Sequence, residues 1–407
     1  MKIGFTGPYC TANFGDWAML VNNIFDFGIE NEYTVFTYSN SFPHNAIKHY
    51  FSDCNVSLLE VLLKDDIQHI ETPTPLDLLE AISNMEELYC SVKQLDVLVV
   101  SGGGWIDDVW CKRTAKFFKV FTPIIIATQL GIPIRFMAQG IGPVKELEDT
   151  LRLFLNYCRK DTVFALRDDY CSPVFLNVLV NEKYPIRYLP DDLAIINQSL
   201  AASFEKSSYK IDSPYVVLVI NDEINSFTHN IEIFQQFCEM LQRKYKYKIV
   251  ILPFDLVWFG EEQSNLLHQC VPESILIDIH EKKFVPIEDT VSIIRGAELV
   301  LTGRHHAAVI AMWTHTPFVL KLDNNRHHYA YNKAYGVYST FTTNIQYDES
   351  LFIKTEWSEV FECIEKHCEN ILNLQKKVFE NVEYDKNYQK LYKQRIDYIE
   401  SIKKANI

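Results

Sequence analysis

The sequence predicts an α/β protein with two doubly wound domains that face each other across a cleft, followed by helices at the C-terminus. Three observations support this prediction. Short apolar runs alternate with helical patterns, most of the runs end at a glycine, asparagine or aspartate, and the whole alternation occurs twice along the chain. Such alternation builds parallel sheets that helices cover on both faces.

The predicted strands share a short length and a high content of aliphatic and aromatic residues. In the first half of the chain they are 3–5, 34–38, 97–100, 134–137, 163–166 and 187–189. In the second half they are 216–220, 248–252, 275–277, 299–301 and 318–322.

A segment without a strong apolar period separates the two halves. Residues 197–214 are rich in serine, alanine and lysine, which is typical of a linker. We therefore predict an N-terminal Rossmann-like domain over 1–196, a linker over 197–214 and a C-terminal Rossmann-like domain over 215–356. The lysine- and glutamate-rich periodicity of 357–407 predicts helices that pack on one or both domains.

Composition limits the classes of partner. With 407 residues, 48% of them apolar and 23% charged, the chain can bury the cores of two ordinary domains. Its net charge of −14 would repel the phosphates of a nucleic acid, so we expect no nucleic-acid partner. An anionic substrate would need a local basic pocket.

The cysteines and the apolar segments indicate the compartment. None of the ten cysteines forms a Cys-x-x-Cys pair, which is typical of reduced thiols in a cytoplasmic protein. Residues 1–7 lead into a strand and a glycine turn rather than an apolar signal core. The longest apolar stretch, 120–137, is interrupted by Pro123, Gly131 and Arg135, so we do not expect it to span a membrane.

The richest motif is Leu-Val-Leu-Thr-Gly-Arg-His-His at 299–306, a predicted strand, a glycine turn and the start of a helix. A helix N-terminus attracts anions, and Arg304 adds a guanidinium that can grip a carboxylate or phosphate with two hydrogen bonds. His306 can supply a proton near neutral pH. The alternative is that His305 and His306 are only packed or solvated histidines.

Residues that follow the predicted strands of the first half form a second candidate group, because ligands of open α/β sheets bind beyond the carboxyl ends of the strands. Each also has a purely structural interpretation: the glycines as turn residues, Asp16 as a helix N-cap, Arg167 with Asp168 as a surface pair, and Asp191 as a turn former. The group comprises Asn13, Gly15, Asp16, Gly102, Gly103, Gly104, Gln139, Gly140, Arg167 and Asp191.

Neither cofactors nor metals are expected. The glycines at 102–104 and 140–142 complete neither a dinucleotide fingerprint nor a P-loop, so no nucleotide cofactor is implied. His305 and His306 are adjacent on one helix and point in different directions, which disfavours a shared metal ion.

Taken in order, these motifs resemble the polysaccharide pyruvyl transferase family over residues 3–335. The resemblance implies a fold of the glycosyltransferase-B (GT-B) type and phosphoenolpyruvate as the donor co-substrate. The implied product is a pyruvate ketal on a sugar of a polysaccharide precursor, in a capsule or exopolysaccharide pathway. The motifs are Asn13-x-Gly15-Asp16, Gly102-Gly-Gly104, Gln139-Gly-Ile-Gly-Pro143, Leu166-Arg-Asp168, Pro190-Asp191, Arg304-x-His306 and Thr316-Pro317.

The resemblance also implies roles for individual residues. It assigns donor-site functions to Arg304, His306 and Arg167, and makes Lys333 a candidate phosphate ligand. Two features depart from the family pattern. Position 305 is histidine where an apolar residue is usual, and the segment 323–333 is longer than the family's tyrosine-to-lysine run.

The chemistry of the donor fits these residue types. Phosphoenolpyruvate carries a carboxylate and a phosphate, which Arg167 and Arg304 from opposite domains can bind. His306 is the candidate acid for the methylene carbon, and Asp16 the candidate base for the sugar hydroxyls. The acceptor is a saccharide that can be lipid-linked at the inner membrane face, where a cytoplasmic enzyme would be peripheral. Asn13, Gly15, Gly102, Gly103, Gly104, Gln139, Gly140, Asp191, His305 and Lys333 are the candidate substrate-binding residues.

Two other functions remain open at this point. A glycosyltransferase of the same architecture would use Arg304 and Lys333 on a sugar-nucleotide diphosphate. A non-catalytic carbohydrate-binding or assembly protein would have lost its chemistry, and the joint presence of Arg167, Arg304 and His306 argues against it. The sequence leaves open the acceptor sugar, the ketal stereochemistry and the oligomeric state.

Overall fold

Two compact units make up the chain. The first comprises Met1–Thr11, Asp16–Asp192 and Lys390–Ile407, and the second comprises Ala12–Gly15 and Leu193–Gln389. The computed structural model describes residues 1–9, 13–39, 41–64, 72–181, 184–204, 207, 209–256, 260–279, 284–322 and 328–404, without the side chains of 41–43 and 328–333.

The strands of the first unit form one parallel sheet. They are β1 (Lys2–Thr6), β2 (Glu32–Thr37), β3 (Val56–Glu60), β4 (Val97–Val100), β5 (Gly103–Ile106), β6 (Ile134–Ile141), β7 (Val163–Leu166) and β8 (Ile186–Tyr188). Their spatial order is β3-β2-β1-β4-β6-β7-β8, with β5 also paired to β6. The order reverses between β1 and β4, and such a reversal opens a crevice at the carboxyl ends of the strands.

Helices surround this sheet. They are α1 (Phe14–Phe27), α2 (Ser41–Phe51), α3 (Pro75–Ala81), α4 (Met85–Lys93), α5 (Asp108–Cys111), α6 (Thr114–Leu130), α7 (Glu148–Tyr157) and α8 (Ser172–Leu179). The apolar stretch 120–137 is divided between α6 and β6. The buried Phe117 of α6 packs on Phe121 and Phe154 with ring centroids 4.5 and 4.8 Å away. Its apolar character therefore serves the core. Within the described part of the chain, no helix is both long and apolar enough to cross a membrane.

The second unit repeats the plan. Its parallel sheet has the order β11-β10-β9-β12-β13-β14 and reverses between β9 and β12. The strands are β9 (Tyr215–Val219), β10 (Lys248–Ile251), β11 (Ile275–Leu276), β12 (Leu299–Thr302), β13 (Phe318–Lys321) and β14 (Ile353–Lys354). The helices are α9 (Gln198–Ala201), α10 (Ile224–His229), α11 (Ile231–Met240), α12 (Gly260–Cys270), α13 (Ile287–Arg295), α14 (His305–Trp313), α15 (His328–Phe341) and α16 (Trp357–Phe379), with a π-helical turn at Leu241–Tyr245 and a 3₁₀ turn at Glu349–Leu351. The last helix, α17 (Val382–Lys404), begins in this unit and ends in the first.

The predicted fold class, two Rossmann-like parallel sheets with C-terminal helices, is confirmed. Every predicted strand overlaps one of the strands above. The prediction missed β3, β5 and β14. β5 starts inside the run of three glycines, which are rare in strands, and β14 has only two residues.

The units divide the chain differently from the predicted domain bounds. The first unit ends at Asp192 rather than 196, and the segment 197–214 belongs to the second unit and contains the short helix α9. The predicted helical segment 357–407 is divided, since Lys390–Ile407 returns to the first unit.

A buried arginine explains this return. Arg395 of α17 is fully buried and donates to Asn23 Oδ1 (2.6 Å), Asp26 Oδ2 (2.7 Å) and Asp192 Oδ1 (2.8 Å). Burial alone would lower the pKa of Arg395, and the carboxylates of Asp26 and Asp192 raise it by more. The C-terminal helix therefore supplies the charge that the two buried carboxylates of the first unit require.

Replacing this arginine should destabilise the first unit. In Arg395→Met, the carboxylates of Asp26 and Asp192 lose their cation, and breaking a buried pair costs about 3–5 kcal/mol. Lys393→Met removes the same charge from an exposed position of the same helix and serves as the control. Urea denaturation followed by circular dichroism should show a lower midpoint for Arg395→Met alone. Equal midpoints for the two variants would refute the structural role of Arg395.

Candidate active site

The turn between β12 and α14 presents Arg304 and the start of a helix at the carboxyl edge of the second sheet. The Thr302 side chain fixes this turn: its Oγ1 accepts from the backbone N–H of Arg304 (2.8 Å), and its hydroxyl donates to the Arg304 carbonyl (3.1 Å). Arg304 is the N-cap residue, in extended conformation and without a side-chain cap. The first turn of α14 thus directs its backbone N–H groups outward, as an anion-binding helix end does.

A buried carboxylate orients Arg304. Its Nη2 donates to Oδ2 of Asp255, whose side chain is fully buried, whereas the Arg304 side chain is 14% exposed. Asp255 follows β10, the neighbour of β9 in the sheet. The carboxylate compensates the cost of burying the guanidinium and holds it in one orientation.

Gly15 lies directly against His306. A Cβ atom at position 15 would be 1.8 Å from Nδ1 of His306, so only glycine allows this approach. Two hydrogen bonds hold the start of α1 here: Phe14 N–H donates to the Phe254 carbonyl (2.8 Å), and Gly15 N–H donates to Oδ1 of Asn13 (3.3 Å). The Asn-x-Gly pattern therefore places a helix start beside the candidate acid.

The two histidines have different surroundings. Their rings are 5.3 Å apart at 67° to each other, and both side chains are half-buried. His306 packs on Gly15, which is the contact that distinguishes it from His305. Among the described residues, no group of three or more His, Cys, Asp or Glu side chains could hold a metal ion.

A second close approach joins β9 to the same turn. A Cβ atom on Gly303 would lie 2.7 Å from the carbonyl oxygen of Asn221, and Nδ2 of Asn221 donates to the Gly303 carbonyl (3.2 Å). This close contact and hydrogen bond hold the ends of β9 and β12 together at the point where the strand order reverses.

The edge of the first sheet holds the other predicted arginine. Arg167 is 3% exposed, and its Nη1 donates to Oδ2 of the fully buried Asp191 (2.9 Å). Asp191 is therefore the ion-pair partner of Arg167 within the first unit. Asp168 is also buried and accepts from the backbone N–H groups of Cys171 (2.7 Å) and Ser172 (3.0 Å), where α8 begins. The alternative of a surface Arg167–Asp168 pair is wrong, because both side chains are buried. Arg167 pairs with Asp191, and Asp168 accepts hydrogen bonds from the start of α8.

The glycine-rich segment and Gln139 also lie at this edge. The N–H of Gly102 donates to Oδ2 of Asp192 (3.1 Å), and a Cβ there would be 2.4 Å from that oxygen. Burial raises the pKa of Asp192, and Arg395 and Asn23 oppose that shift. Gly103 and Gly104 begin β5, while Gly140 lies inside β6.

Unsatisfied polar atoms mark the same place. The side chain of Gln139 is fully buried and its Nε2 donates to the Ser101 carbonyl. In the described part of the chain, Arg167 Nε, Gln139 Oε1 and Ser101 Oγ are buried without a hydrogen-bond partner. Because buried polar groups are almost always paired, these three atoms indicate a place for a bound ligand or water.

Asp16 and Lys333 both fall within helices. The alternative of Asp16 as an N-cap does not fit, because α1 begins at Phe14 and Asp16 lies in its first turn, with Asn13 in the capping position. Lys333 falls within α15, but its side chain lies outside the described residues.

The sequence-based prediction missed Asp255 and Asn221. Both follow predicted strands, and ligands of α/β sheets bind beyond the carboxyl ends of strands, so that rule would have selected them.

Several solved structures share the fold of this chain. UDP-GlcNAc 2-epimerase from Neisseria meningitidis has a TM-score of 0.59 and 12% identity, covering 99% of this chain and 100% of its own. Anabaena Alr3699/HepE, solved with UDP and glucose, has a TM-score of 0.59 and 12% identity, covering 99% of both chains. A Listeria monocytogenes putative UDP-N-acetylglucosamine 2-epimerase has a TM-score of 0.59 at 11% identity, with 98% of both chains covered. The fold is therefore of the GT-B type.

The sequence itself identifies the family. Residues 20–325 match the family model of the polysaccharide pyruvyl transferases, and no curated protein matches the sequence significantly. Since the match covers most of the chain, the protein belongs to the polysaccharide pyruvyl transferase family. The expected resemblance is thus confirmed.

The contact between Gly15 and His306 can be tested by a double-mutant cycle. Gly15→Ala should lower the melting temperature, because the new methyl group must displace the His306 ring at a cost of about 1–3 kcal/mol. In a His306→Ala background the same change should be neutral or stabilising, since alanine favours a helix over glycine by up to about 1 kcal/mol. An identical effect of Gly15→Ala in both backgrounds would show that the two residues do not interact.

Proposed function

We propose that this protein transfers pyruvate from phosphoenolpyruvate to two hydroxyls of one sugar residue in a polysaccharide or lipid-linked oligosaccharide precursor. The observation that carries the proposal is the cluster of Asp255, Arg304 and His306 in a chain of the pyruvyl transferase family. It combines an oriented guanidinium, a helix N-terminus and a histidine within one turn of chain. An anionic substrate that must also accept a proton needs those three elements.

The donor carries two anionic groups, a carboxylate and a phosphate. The chain offers one guanidinium at the edge of each sheet, Arg304 and Arg167, and each rests on a buried carboxylate. The N–H groups at the start of α14 add further donors beside Arg304. A net charge of −14 makes such local cationic groups necessary for binding an anion.

The proposed reaction adds one proton to the donor and releases two protons from the sugar. His306 gives a proton to the methylene carbon of phosphoenolpyruvate, which becomes a methyl group, and the C2 carbon becomes electrophilic. One sugar hydroxyl adds to C2, the bond from C2 to the phosphate oxygen breaks, and a second hydroxyl closes the ketal. The two hydroxyls release two protons: one restores His306 and the other leaves with phosphate. Asp16, in the first turn of α1, is the proposed base that first accepts the second hydroxyl proton and then passes it to the leaving phosphate.

The test is to incubate the protein with phosphoenolpyruvate and a galactose-containing oligosaccharide or lipid-linked acceptor. Phosphate release that depends on the acceptor, with a product heavier by one pyruvate less one water, would support the proposal. The runner-up is a glycosyltransferase, since Alr3699/HepE was solved with UDP-glucose. Transfer of a sugar from UDP-glucose to the acceptor, without consumption of phosphoenolpyruvate, would replace the proposal by that alternative.

The two histidines should differ in their effect on turnover. His306→Gln keeps a polar side chain but removes the proton donor, so we expect donor binding to persist while kcat falls by about 10²–10⁴. His305→Leu is the matched control at the adjacent position and should change kcat by less than about tenfold. Phosphate release measured with each variant decides between them. Loss of turnover in His305→Leu with normal turnover in His306→Gln would reverse the assignment of the acid.

A further inference from the structure

A cavity of about 410 Å³ lies in the second unit, outside the cluster of Arg304 and His306. Its wall comes from the end of β9, from α10 and α11, from the end of β13 and from the start of α16. The side chains that line it include Asp222, Glu223, Lys321, Glu356, Trp357 and Phe361. The volume falls within the range of pockets that hold small organic ligands.

A buried lysine lies in the wall of this cavity. Lys321 is 5% exposed, and the contact that the structure gives its ammonium is one with Oδ1 of Asp222 at 3.3 Å. An ammonium has three donors, so two remain for a ligand. Gln263 holds Asp222 in place, since its Nε2 donates to the Asp222 carbonyl (2.7 Å) and its Oε1 accepts from the Asp222 N–H (3.2 Å). The polar part of the cavity is thus preorganised.

One wall is aromatic and contains another donor. Trp357 is 6% exposed and packs on Phe234 and Phe361, with ring centroids 5.2 and 5.7 Å away. Among the described residues, its Nε1 is buried without a hydrogen-bond partner. A buried indole N–H ordinarily finds an acceptor.

Charge decides which kind of ligand fits. Among the described residues that line the cavity, Lys321 is the one cation against the carboxylates of Asp222, Glu223 and Glu356, so the cavity disfavours a phosphate or carboxylate. These carboxylates do not form a metal-binding group in the described part of the chain. Acceptors, spare donors and an aromatic wall suit a neutral ring that has hydroxyls at its rim and apolar C–H faces.

We propose that this cavity binds one pyranose residue of the saccharide acceptor. The proposal rests on the proposed function and adds a binding site for the acceptor within the second unit. The cavity is linked to the candidate active site by Asn221, which precedes Asp222 and donates to the carbonyl of Gly303, next to Arg304. A sugar chain held by Asp222 and Lys321 would be anchored at the same sheet edge as the donor group.

Binding can be measured without turnover. With indole nitrogens labelled by ¹⁵N, Trp357→Phe identifies the Trp357 signal among those of the six tryptophans. Lactose, cellobiose, methyl β-galactoside and methyl α-mannoside are then titrated to millimolar concentration. At least one of these sugars should shift the Trp357 signal. The absence of a shift for all four would overturn the proposal.

A blocking variant and its control localise the binding. Ser226→Trp places a bulky side chain in the cavity and should weaken sugar binding by about tenfold or more, equivalent to about 1.4 kcal/mol. Ser350→Trp makes the same change at an exposed position outside the cavity and should leave binding unchanged. Equal sugar affinity in Ser226→Trp and Ser350→Trp would refute the assignment of the cavity.

The donor distinguishes this proposal from the proposed function. Ser226→Trp should leave stabilisation by phosphoenolpyruvate intact. If phosphoenolpyruvate does not stabilise the wild-type protein but sugars bind in the cavity, the proposed function fails and the sugar site stands. If Ser226→Trp abolishes stabilisation by phosphoenolpyruvate, the cavity belongs to the donor and the sugar assignment is wrong.

Discussion

Four buried or half-buried cations that the structure describes, three at strand ends and one in α17, each lie on a buried or half-buried carboxylate. Moving a charge out of water is costly, and an adjacent opposite charge compensates that cost only when the geometry is well ordered. The pairs are Arg167 with Asp191, Arg304 with Asp255, Lys321 with Asp222, and Arg395 with Asp26 and Asp192. The first three pairs join residues at the ends of different strands of one sheet, and the last joins α17 to the first unit. A chain of net charge −14 thereby holds cations at defined positions.

The fold could be predicted because its signal is local. Central parallel strands such as β4 and β12 are buried along their whole length, so they read as short continuous apolar runs. β5 could not be found in this way, since it forms from glycines that pair with β6 through tertiary structure. The return of α17 to the first unit could not be predicted from local sequence patterns either. It depends on the pairing of Arg395 with Asp26, 369 residues away in sequence.

The candidate site could be predicted in part. Arg304 and His306 follow a strand of the second sheet and Arg167 follows a strand of the first, so each lies at the carboxyl edge of its own parallel sheet. The partners of these residues could not be assigned, because an ion pair such as Arg304 with Asp255 joins two loops that are distant in sequence. The function of Gly15 was hidden for the same reason: its lack of a side chain matters only because His306 packs against it.

The proposed reaction depends most on the binding of phosphoenolpyruvate by Arg304 and its surroundings. Thermal unfolding with phosphoenolpyruvate, UDP-glucose and UDP-GlcNAc tests that binding directly, in the wild-type protein and in Arg304→Lys. A donor at about 100 times its dissociation constant stabilises a protein by about 2.7 kcal/mol. We predict that phosphoenolpyruvate gives such a shift and that Arg304→Lys loses most of it, because the compact ammonium of lysine lacks the planar fork with which a guanidinium makes two parallel hydrogen bonds to an anion. Stabilisation by a UDP-sugar but not by phosphoenolpyruvate, or an undiminished shift in Arg304→Lys, would contradict the account.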